Sequence, residues 1–426
     1  MNYYRPIKEI FNFEKGSLQS SKAIDGEYNF ITASSEWKKH NTYEHDKEAL
    51  IIAIAASGSL GRVHYINGKF ISSDLCFILT PKDQKKIPVD LQFYQHLFQF
   101  IRQDLVQATA TGTSKLAINQ ENFGNYKVPY FDIDHQKKYR KKFVKLEEQQ
   151  FLFKSQINNQ KTNLKNLRKQ ILQDAIEGKL TKEWREQNPD IEPASELLKK
   201  IKKEKENLIA EKKIKKEKPL PPIDKNKIPF ELPKSWVWTR IGEITNYGSS
   251  EKIEPNRITD NTWILDLEDI EKESSKIINF ETFKNRNTTS SKSVFKKGDV
   301  LYSKLRPYLD KVVVAPGDGI CTTEIIPIKM YAELNSLFFM YNLKRRDFLD
   351  YASRCVKGMK MPRFGTEDVK LSYFPLPPLS EQLAIVSKLE TLMQKLDEAE
   401  KQIDKSLEVS KLLTKSILTE AFKNEG

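Results

Sequence analysis

The chain has 426 residues, of which 71 are lysine or arginine and 58 are aspartate or glutamate, so its formal net charge at pH 7 is +13. This length gives room for two or three domains. The positive charge favours a polyanionic partner, and nucleic acid is a more common partner of such proteins than an acidic membrane surface. The three cysteines are far apart and include no C-x-x-C pair, which argues against a zinc site or a disulfide framework. The longest apolar stretch, residues 49–56, is too short to cross a bilayer and no signal peptide is recognisable. We therefore expect a cytoplasmic protein with no membrane partner.

Residues 1–134 are predicted to form a first globular domain of mixed α/β (α+β) character. Apolar runs at residues 50–54 and 70–71 are typical of strands, and Asn67-Gly68 predicts a tight turn between them. Apolar residues then recur at helical spacing, which predicts a helix over residues 90–108.

Residues 135–180 contain no proline, and their first glycine is Gly178, so they predict one long helix that stops at this glycine. Its apolar residues follow the three-and-four spacing of a coiled coil: Phe143, Leu146, Phe153, Ile157, Leu164, Leu167 and Ile171. More than forty helical residues would make a rod of roughly 65 Å. Such an apolar seam needs a partner.

Residues 181–228 are lysine-rich and lead into Pro219-Leu220-Pro221-Pro222, which predicts a solvated helix and a linker, with a phosphate-binding arm as the alternative. A second globular domain is predicted over residues 229–378, with strands at 300–302 and 311–314 and a helix near 333–355. Residues 379–426 predict a second long helix with a seam of Leu389, Leu392, Leu396, Ile403, Leu407, Leu413 and Ile417. The two long helices are each other's expected antiparallel partners.

The sequence contains an internal repeat, because similar short stretches recur in the same order in its two halves. Gly112 is followed seventeen residues later by Pro129, and Gly358 by Pro375 at the same spacing. Further matched stretches are residues 6–10 with 240–244, 70–75 with 320–325, and 145–147 with 388–390. A repeat of more than 200 residues has the size of a domain plus a helix, so we expect a pseudo-dimer that binds a target with two parts.

The sequence lacks the common catalytic motifs. No phosphate-binding loop, zinc-protease helix, nucleophile elbow or paired cysteine ligands occur, and the five histidines are scattered. Acidic residues beside lysines, such as Glu268-Asp269 near Lys272, are expected by chance in so charged a chain. We therefore predict no cofactor, no metal and no catalytic residue. A nuclease or methyltransferase with a non-standard active site is the alternative, and a structural coiled-coil adaptor is a third reading.

The remaining candidates are polar and basic loop residues suited to DNA. Hydroxyl, amide and cationic side chains can bind base edges and phosphates, and a glycine lets the backbone approach a phosphate closely. The candidates are Lys15, Ser17, Gln19, Ser20 and Lys22 in one loop, Tyr247, Ser249 and Lys252 in its counterpart, Thr113, Ser114 and Lys115 beside Gly112, Lys357, Lys360 and Arg363 beside Gly358, and Arg62, Lys304, Arg306 and Arg354 as further cations. Ordinary solvated loops have a similar composition.

Three stretches resemble the specificity subunits of type I restriction-modification systems. They are Trp236 to Ile244, which opens the second domain, Phe374 to Gln382, which leads into the last helix, and Leu167 to Leu180, which ends the central helix. In repeat order they extend the resemblance over essentially the whole chain. The first domain departs from the pattern because it lacks the proline-tryptophan lead-in found at Pro233 to Trp238.

The resemblance implies two target-recognition domains that each read one half of a split double-stranded DNA sequence. It also implies that two methyltransferase subunits dock on the conserved helices and that restriction subunits join through the complex. Catalysis, ATP and S-adenosylmethionine would then belong to partner chains. The bases of either half-site do not follow from the sequence.

Overall fold

The computed structural model describes residues 4–56, 58–112, 116–286, 288–332 and 334–423. The chain divides into two compact units. Unit 1 comprises the residues up to Asn159 together with those from Ile403 onward, and unit 2 is Gln160–Gln402. Across the described ranges, every helix is too short or too polar to cross a bilayer.

The helices and strands follow the same order in the two halves of the chain. The first half contains β1 (Tyr4–Pro6), α1 (Ile7–Ile10), β2 (Phe11–Lys15), β3 (Tyr28–Ile31), β4 (Lys38–His40), β5 (His45–Ala53), β6 (Val63–Ser72), β7 (Cys76–Pro81), α2 (Leu91–Phe100), α3 (Arg102–Thr109), β8 (Ala110–Thr111), β9 (Ala117–Ile118), α4 (Gln120–Asn125), β10 (Lys127–Pro129) and α5 (Ile133–Ile176). The connection contains α6 (Lys182–Gln187) and α7 (Ala194–Ala210). The second half contains β11 (Val237–Arg240), α8 (Ile241–Ile244), β12 (Lys252–Ile253), β13 (Trp263–Leu265), β14 (Glu281–Thr282), α9 (Phe283–Arg286), β15 (Lys292–Phe295), β16 (Val300–Ser303), β17 (Val312–Val314), β18 (Gly319–Cys321), β19 (Ile325–Ile328), α10 (Ser336–Leu343), α11 (Arg346–Arg354), β20 (Val356–Lys357), β21 (Arg363–Phe364), α12 (Thr366–Leu371), β22 (Tyr373–Leu376) and α13 (Leu379–Lys423).

Unit 1 is built on a six-stranded sheet with strand order β2-β7-β5-β6-β3-β4. The apolar run in β5 is buried on both faces of this sheet, because Leu50 and Ile52 pack in one hydrophobic cluster whereas Ile51 and Ala53 pack in another. Alternate residues of a strand point to opposite faces, so a continuous apolar run suits a covered central strand. Burying a side chain of this size stabilises the fold by about 1.5–3 kcal/mol.

Unit 2 contains the same arrangement in interrupted form. Its strands form a five-stranded sheet, β12-β15-β18-β13-β14, and a three-stranded sheet, β17-β16-β19. The long antiparallel hairpin of β5 and β6 in unit 1 corresponds to two shorter pairs, β15 with β18 and β16 with β17. The parallel pairing of β3 with β6 likewise recurs as β13 with β18. The repeat and the mixed α/β (α+β) class predicted from the sequence are confirmed.

The first strand of each repeat pairs with the strand that precedes the long helix. Tyr4 lies opposite Pro129 in the pairing of β1 with β10, and Trp238 lies opposite Pro375 in the pairing of β11 with β22. The two prolines matched in the sequence therefore occupy equivalent strands. The missing proline-tryptophan lead-in does not remove the first strand of unit 1.

The long helices α5 and α13 contain 44 and 45 residues. Within unit 2 they are antiparallel, because Lys388 donates to the carbonyl oxygen of Leu180 at 2.7 Å whereas Arg168 Nη2 lies 2.6 Å from Asp397 Oδ1. The helix α5 ends two residues before Gly178, whose φ of +74° is the left-handed conformation expected after a helix end. The predicted stop is confirmed.

Several local predictions were wrong. Three residues assigned to the apolar seams, Leu167, Leu413 and Ile417, are exposed. Asn67-Gly68 lies inside β6, opposite Glu48 and Lys47, rather than in a turn. The helices predicted over 90–108 and near 333–355 are each broken into two. The helix α7 is not fully solvated either, because Leu197 and Ile201 pack in the core of unit 2.

Candidate nucleic-acid interface

A basic surface in unit 2 is assembled from two segments far apart in sequence. The hairpin of β20 and β21 is fastened to the segment after β16 by main-chain hydrogen bonds, from Phe364 N to Lys304 O at 2.9 Å and from Arg306 N to Pro362 O at 2.8 Å. We call this surface the unit 2 basic hairpin; it contains Lys304, Arg306, Lys357, Lys360 and Arg363. Arg306, Lys357 and Lys360 are exposed, and Lys304 and Arg363 are partly buried. The predicted candidates from these two segments thus lie together, and the exposed Arg354 precedes the hairpin directly.

Arg363 is held in a fixed orientation by Glu324. Its Nε lies 3.1 Å from Oε1 and 3.0 Å from Oε2 of that carboxylate, and its Nη2 lies 2.9 Å from Oε1. Hydrogen bonding to Glu324 raises the pKa of the Arg363 guanidinium. A forked contact of this kind fixes the plane of the guanidinium, which suits directional recognition better than a mobile lysine does.

The segment between β16 and β17 has an unusual backbone. Arg306 and Asp310 have φ values of +50° and +49°, in the region that side chains other than glycine rarely adopt. The Asp310 carboxylate accepts a hydrogen bond from Lys344 Nζ at 2.7 Å, which connects the segment to the helical layer. Burial nevertheless raises the pKa of Asp310 to about 6.

Unit 1 contains the counterpart of this hairpin. Ile118 N donates to Ile54 O at 2.8 Å, so the β8 and β9 hairpin is fastened to the loop after β5 in the same manner. Gly112, the residue after β8, has a φ of +112°. The candidates Thr113, Ser114 and Lys115 lie outside the described residues, so their assignment stays a prediction.

The Lys15 to Lys22 loop runs along the backbone of Ser72 and Ser73. A side chain at Gly16 would place its Cβ only 2.1 Å from Ser73 O, so only glycine allows this approach. Ser17 Oγ donates to Glu44 Oε2 at 2.6 Å. The candidates Lys15, Gln19 and Lys22 are exposed and Ser20 is partly exposed, so all four are accessible to a ligand.

The counterpart loop of unit 2 requires a correction. Tyr247 is only 1% exposed and packs in the core of unit 2, so its assignment as a DNA-binding residue was wrong. Its neighbour Gly248, with a φ of +85°, turns the chain so that Ser249 and Lys252 are exposed while the tyrosine ring points inward. The sequence analysis grouped Tyr247 with the polar loop candidates, whereas its ring anchors the loop in the core.

Sequence reasoning missed the buried glutamines that position the helices of both units. Gln136 is 0% exposed, and its side chain accepts from Asp90 N at 2.7 Å and donates to Phe131 O at 2.7 Å. Gln382, also 0% exposed, accepts from Asn335 N at 3.1 Å in the same way. Each glutamine lies seven residues after the matched proline, Pro129 or Pro375. This identical spacing was the available signal.

A buried carboxylate explains the tryptophan lead-in of the second repeat. Glu381 is 0% exposed and accepts hydrogen bonds from Trp236 Nε1 at 2.7 Å and Thr181 Oγ1 at 2.7 Å, and it forms an ion pair with Arg185 at 2.5 Å. The Glu381 carboxylate, at the start of α13, thus binds both the tryptophan lead-in and the connection that follows α5. In unit 1 the position before the buried glutamine is His135, which contacts Asp132 instead.

The acidic cluster near Glu268 is a structural ion-pair network. Arg286 lies 3.2 Å from Asp266, 2.6 Å from Glu268 and 2.5 Å from the fully buried Asp269. Within the described ranges, no group of three or more histidine, cysteine, aspartate or glutamate side chains could hold a metal ion.

Comparisons with known proteins agree with the repeat. A family model described as the type I restriction modification DNA specificity domain matches residues 3–163 and 233–409. The chain is 29% identical over 424 residues to the type I restriction enzyme EcoDI specificity subunit of Escherichia coli, covering 98% of this chain and 87% of that protein. It is 32% identical over 266 residues to the EcoAI specificity subunit of the same organism, covering 60% of this chain and 44% of that protein.

Among solved structures, one chain from work on complex assembly and conformational transition of the type I R-M system aligns with a TM-score of 0.60. It is 16% identical in sequence, and the alignment covers 98% of this chain and 97% of that chain. At this identity the likeness concerns the fold. The two stretches matched by the family model each contain one globular part and the beginning of a long helix.

Proposed function

This chain belongs to the family of type I restriction-modification DNA specificity proteins, and from that premise we propose that each globular part reads one half of a split double-stranded DNA target. The chain is the DNA-recognition component and not the catalyst, and its partners are DNA and other subunits of a restriction-modification system. The nuclease or methyltransferase alternative has no support from these relatives. We expect the assembled complex to act in the cytoplasm.

The unit 2 basic hairpin is the main observation that supports the proposed reading of DNA. Main-chain hydrogen bonds hold its loop and hairpin together, and several lysine and arginine side chains are thereby concentrated on one surface. Cations of this kind bind phosphates, whereas an oriented guanidinium such as that of Arg363 can bind a base edge. The same fastening in unit 1 supports an equivalent role for the β8 and β9 hairpin.

Exposed apolar side chains on the long helices support docking of methyltransferase subunits. In unit 1, α5 exposes Phe151 and Leu152 at 73% and 61%, and α13 exposes Leu412 at 62%. Clusters of large exposed apolar residues are typical of protein interfaces. We propose that two methyltransferase subunits bind the helices and that restriction subunits join through them.

Methylome mapping tests the reading function. The chain is expressed with its methyltransferase partner, and methylated positions are compared with those of a variant whose residues 1–134 come from a relative with another specificity. We expect a bipartite motif in which the exchange alters one half-site only. A motif changed in both halves would contradict the proposal. Methylation by the purified chain alone would instead favour the enzyme alternative.

Charge substitutions test the docking surface. We expect Phe151→Glu and Leu412→Glu to reduce co-purification of the methyltransferase while leaving the melting temperature of the isolated chain unchanged, because these side chains are exposed. Ile278→Glu is the matched control, since Ile278 is 55% exposed in unit 2 and is not part of a helix. Normal assembly by both helix variants would remove this surface from the proposal.

A further inference from the structure

A cavity in unit 1 contains two arginines and no carboxylate. It has a volume of about 270 Å³, and its polar lining is Ser35, Arg62, His64, Gln95, Gln99 and Arg102. Arg62 follows the loop after β5, Arg102 begins α3, and the two glutamines lie one turn apart on α2. The lining therefore offers cationic and amide donors from three separate elements.

Both guanidinium groups are held in place by oxygen atoms of the protein, yet neither forms an ion pair with any residue that the structure describes. Arg62 Nη1 donates to Ala33 O and Ser59 Oγ, each at 3.2 Å. Arg102 donates from Nε to Leu60 O at 2.8 Å and from Nη2 to Gly58 O at 3.1 Å. In the described part of the chain these contacts leave three N–H donors of each group unused. Burial and then the charge of Arg62 lower the pKa of Arg102, as expected for like charges in a shielded place.

The equivalent place in unit 2 contains a carboxylate, that of Asp310. Ala53 N donates to Arg62 O, and Ser303 N donates to Lys311 O, so Lys311 is the counterpart of Arg62. The residue before each of them has a positive φ, but it is Gly61 in unit 1 and Asp310 in unit 2. Asp310 forms an ion pair with Lys344 at 2.7 Å. Unit 1 has Gly61 in place of this aspartate, so the described lining of its cavity has two arginines and no acidic side chain.

His64 lines the cavity as a neutral ring, so the positive charge of the cavity comes from the two arginines. Its Nδ1 accepts from Trp37 Nε1 at 3.2 Å, and its Nε2 lies 2.9 Å from Ser34 O, where it donates. Both ring nitrogens are therefore occupied in the neutral form. Burial lowers the pKa of His64, in agreement with a neutral ring.

We propose that Arg62 and Arg102 form an anion site that takes a phosphate group of the DNA backbone, with the amides of Gln95 and Gln99 as additional donors. The site is particular to unit 1. A guanidinium pair with preorganised donors binds phosphate well, because charge-assisted hydrogen bonds are stronger than neutral ones. DNA as the source of the phosphate rests on the proposed function.

The test introduces a carboxylate into the cavity by substitution of a lining residue. Gln95→Glu preserves the size of the side chain and gives the arginines an internal partner, so the fold should be at least as stable as that of the unmodified protein. In the complex with methyltransferase subunits, we expect the affinity for duplex DNA to fall about tenfold at low salt, equally for cognate and random sequences, and the salt slope to fall by about one. Gln103→Glu, an exposed neighbour outside the cavity lining, is the matched control and should show neither change.

A second measurement separates the possible sources of the phosphate. At fixed ionic strength, inorganic phosphate should raise the melting temperature of the unmodified chain more than that of Gln95→Glu. No such difference would overturn the anion site itself. Phosphate stabilisation with identical DNA binding by Gln95→Glu and Gln103→Glu would overturn its assignment to the DNA backbone. A complex that binds no DNA at all would instead contradict the proposed function, independently of this cavity.

Discussion

Lys360 and Arg363 are three residues apart on one hairpin, yet their surroundings predict different roles. Lys360 is exposed, whereas Glu324 orients Arg363. We expect Lys360→Ala to weaken binding to all DNA sequences alike and to lower the salt slope by about one, because a mobile lysine neutralises a phosphate. Arg363→Ala should change the preference in one half-site by about 1–3 kcal/mol. Titration of cognate and random duplexes at several salt concentrations distinguishes them.

The control for Arg363 separates reading from positioning. Removal of the Arg363 side chain leaves the Glu324 carboxylate without its partner. The double variant Arg363→Ala/Glu324→Ala therefore tests whether the loss of sequence preference persists when no charge is left unpaired. Gln19→Ala changes a candidate reader in a different loop, in unit 1, and should affect the other half-site. Equal losses on cognate and random DNA would show that these residues do not read bases.

Asp310 predicts a pH dependence of stability. Its pKa is raised by burial to about 6 in the folded protein, above its ordinary value of 3.8. The folded state therefore binds more protons between these two values, and the free energy of unfolding should decrease as pH rises through this window, by at most about 3 kcal/mol. Urea unfolding of the unmodified chain and of Asp310→Asn between pH 4 and 8 measures it. The difference between them should vary below pH 6 and be constant above pH 7; a constant difference throughout would contradict the prediction.

Exposure could be predicted from the sequence for lysines but not for Tyr247. Lysine and glutamine side chains in polar loops are nearly always solvated, so Lys15, Gln19 and Lys360 were found at the surface. The direction of Tyr247 depends on the turn at Gly248 and on the core beneath it, neither of which is encoded in a local pattern. Arg62 and Arg363 were expected to be cationic, but their partners, Ala33 and Glu324, are distant in sequence.

Among the elements, the start of α5 depends on a single buried side chain. Gln136 bonds to Asp90 N, the N-cap residue of α2, and to carbonyl oxygens of Pro88 and Phe131. We expect Gln136→Leu to lower the free energy of unfolding by about 2–5 kcal/mol, because these backbone groups would lose their partners while remaining buried. Gln149→Leu on the exposed side of the same helix is the control. Urea unfolding in which both variants behave alike would show that Gln136 is dispensable.

The type of each major element could be predicted, but its continuity could not. Apolar periodicity predicted helices after residues 90 and 333, and both regions are helical, but each contains two helices. Directly after the interruption at Ile101, Arg102 donates hydrogen bonds to Leu60 O and Gly58 O in the neighbouring loop, contacts that the periodicity does not reveal. The assignment of Leu413 and Ile417, near the end of α13, to the buried seam was also wrong. Periodicity identifies an apolar face of a helix, but it does not show whether another part of the protein covers that face.

At the scale of the whole molecule, the continuous helix α5 suggests that the long helices set the spacer between the half-sites. Seven residues that continue the heptad, inserted between Gln160 and Leu164 and matched by seven in α13 after Lys401, should add about 10 Å of helix. At 3.4 Å per base pair, the unread spacer should grow by at most about three base pairs. The half-sites should stay the same. Methylome mapping that finds active protein with an unchanged spacer, or altered half-site bases, would refute this role.

The main-chain bonds that fasten each hairpin also bear on how such a protein can change. Phe364 N to Lys304 O in unit 2 and Ile118 N to Ile54 O in unit 1 involve no side-chain atom. The anchor therefore needs no particular side chain, only a residue other than proline at the donor position, and the tip of either hairpin can mutate without loss of this bond. Under the proposed function, substitutions at the tips can therefore contribute to new specificities, and a tip grafted from one relative into another should be held by the same main-chain bond.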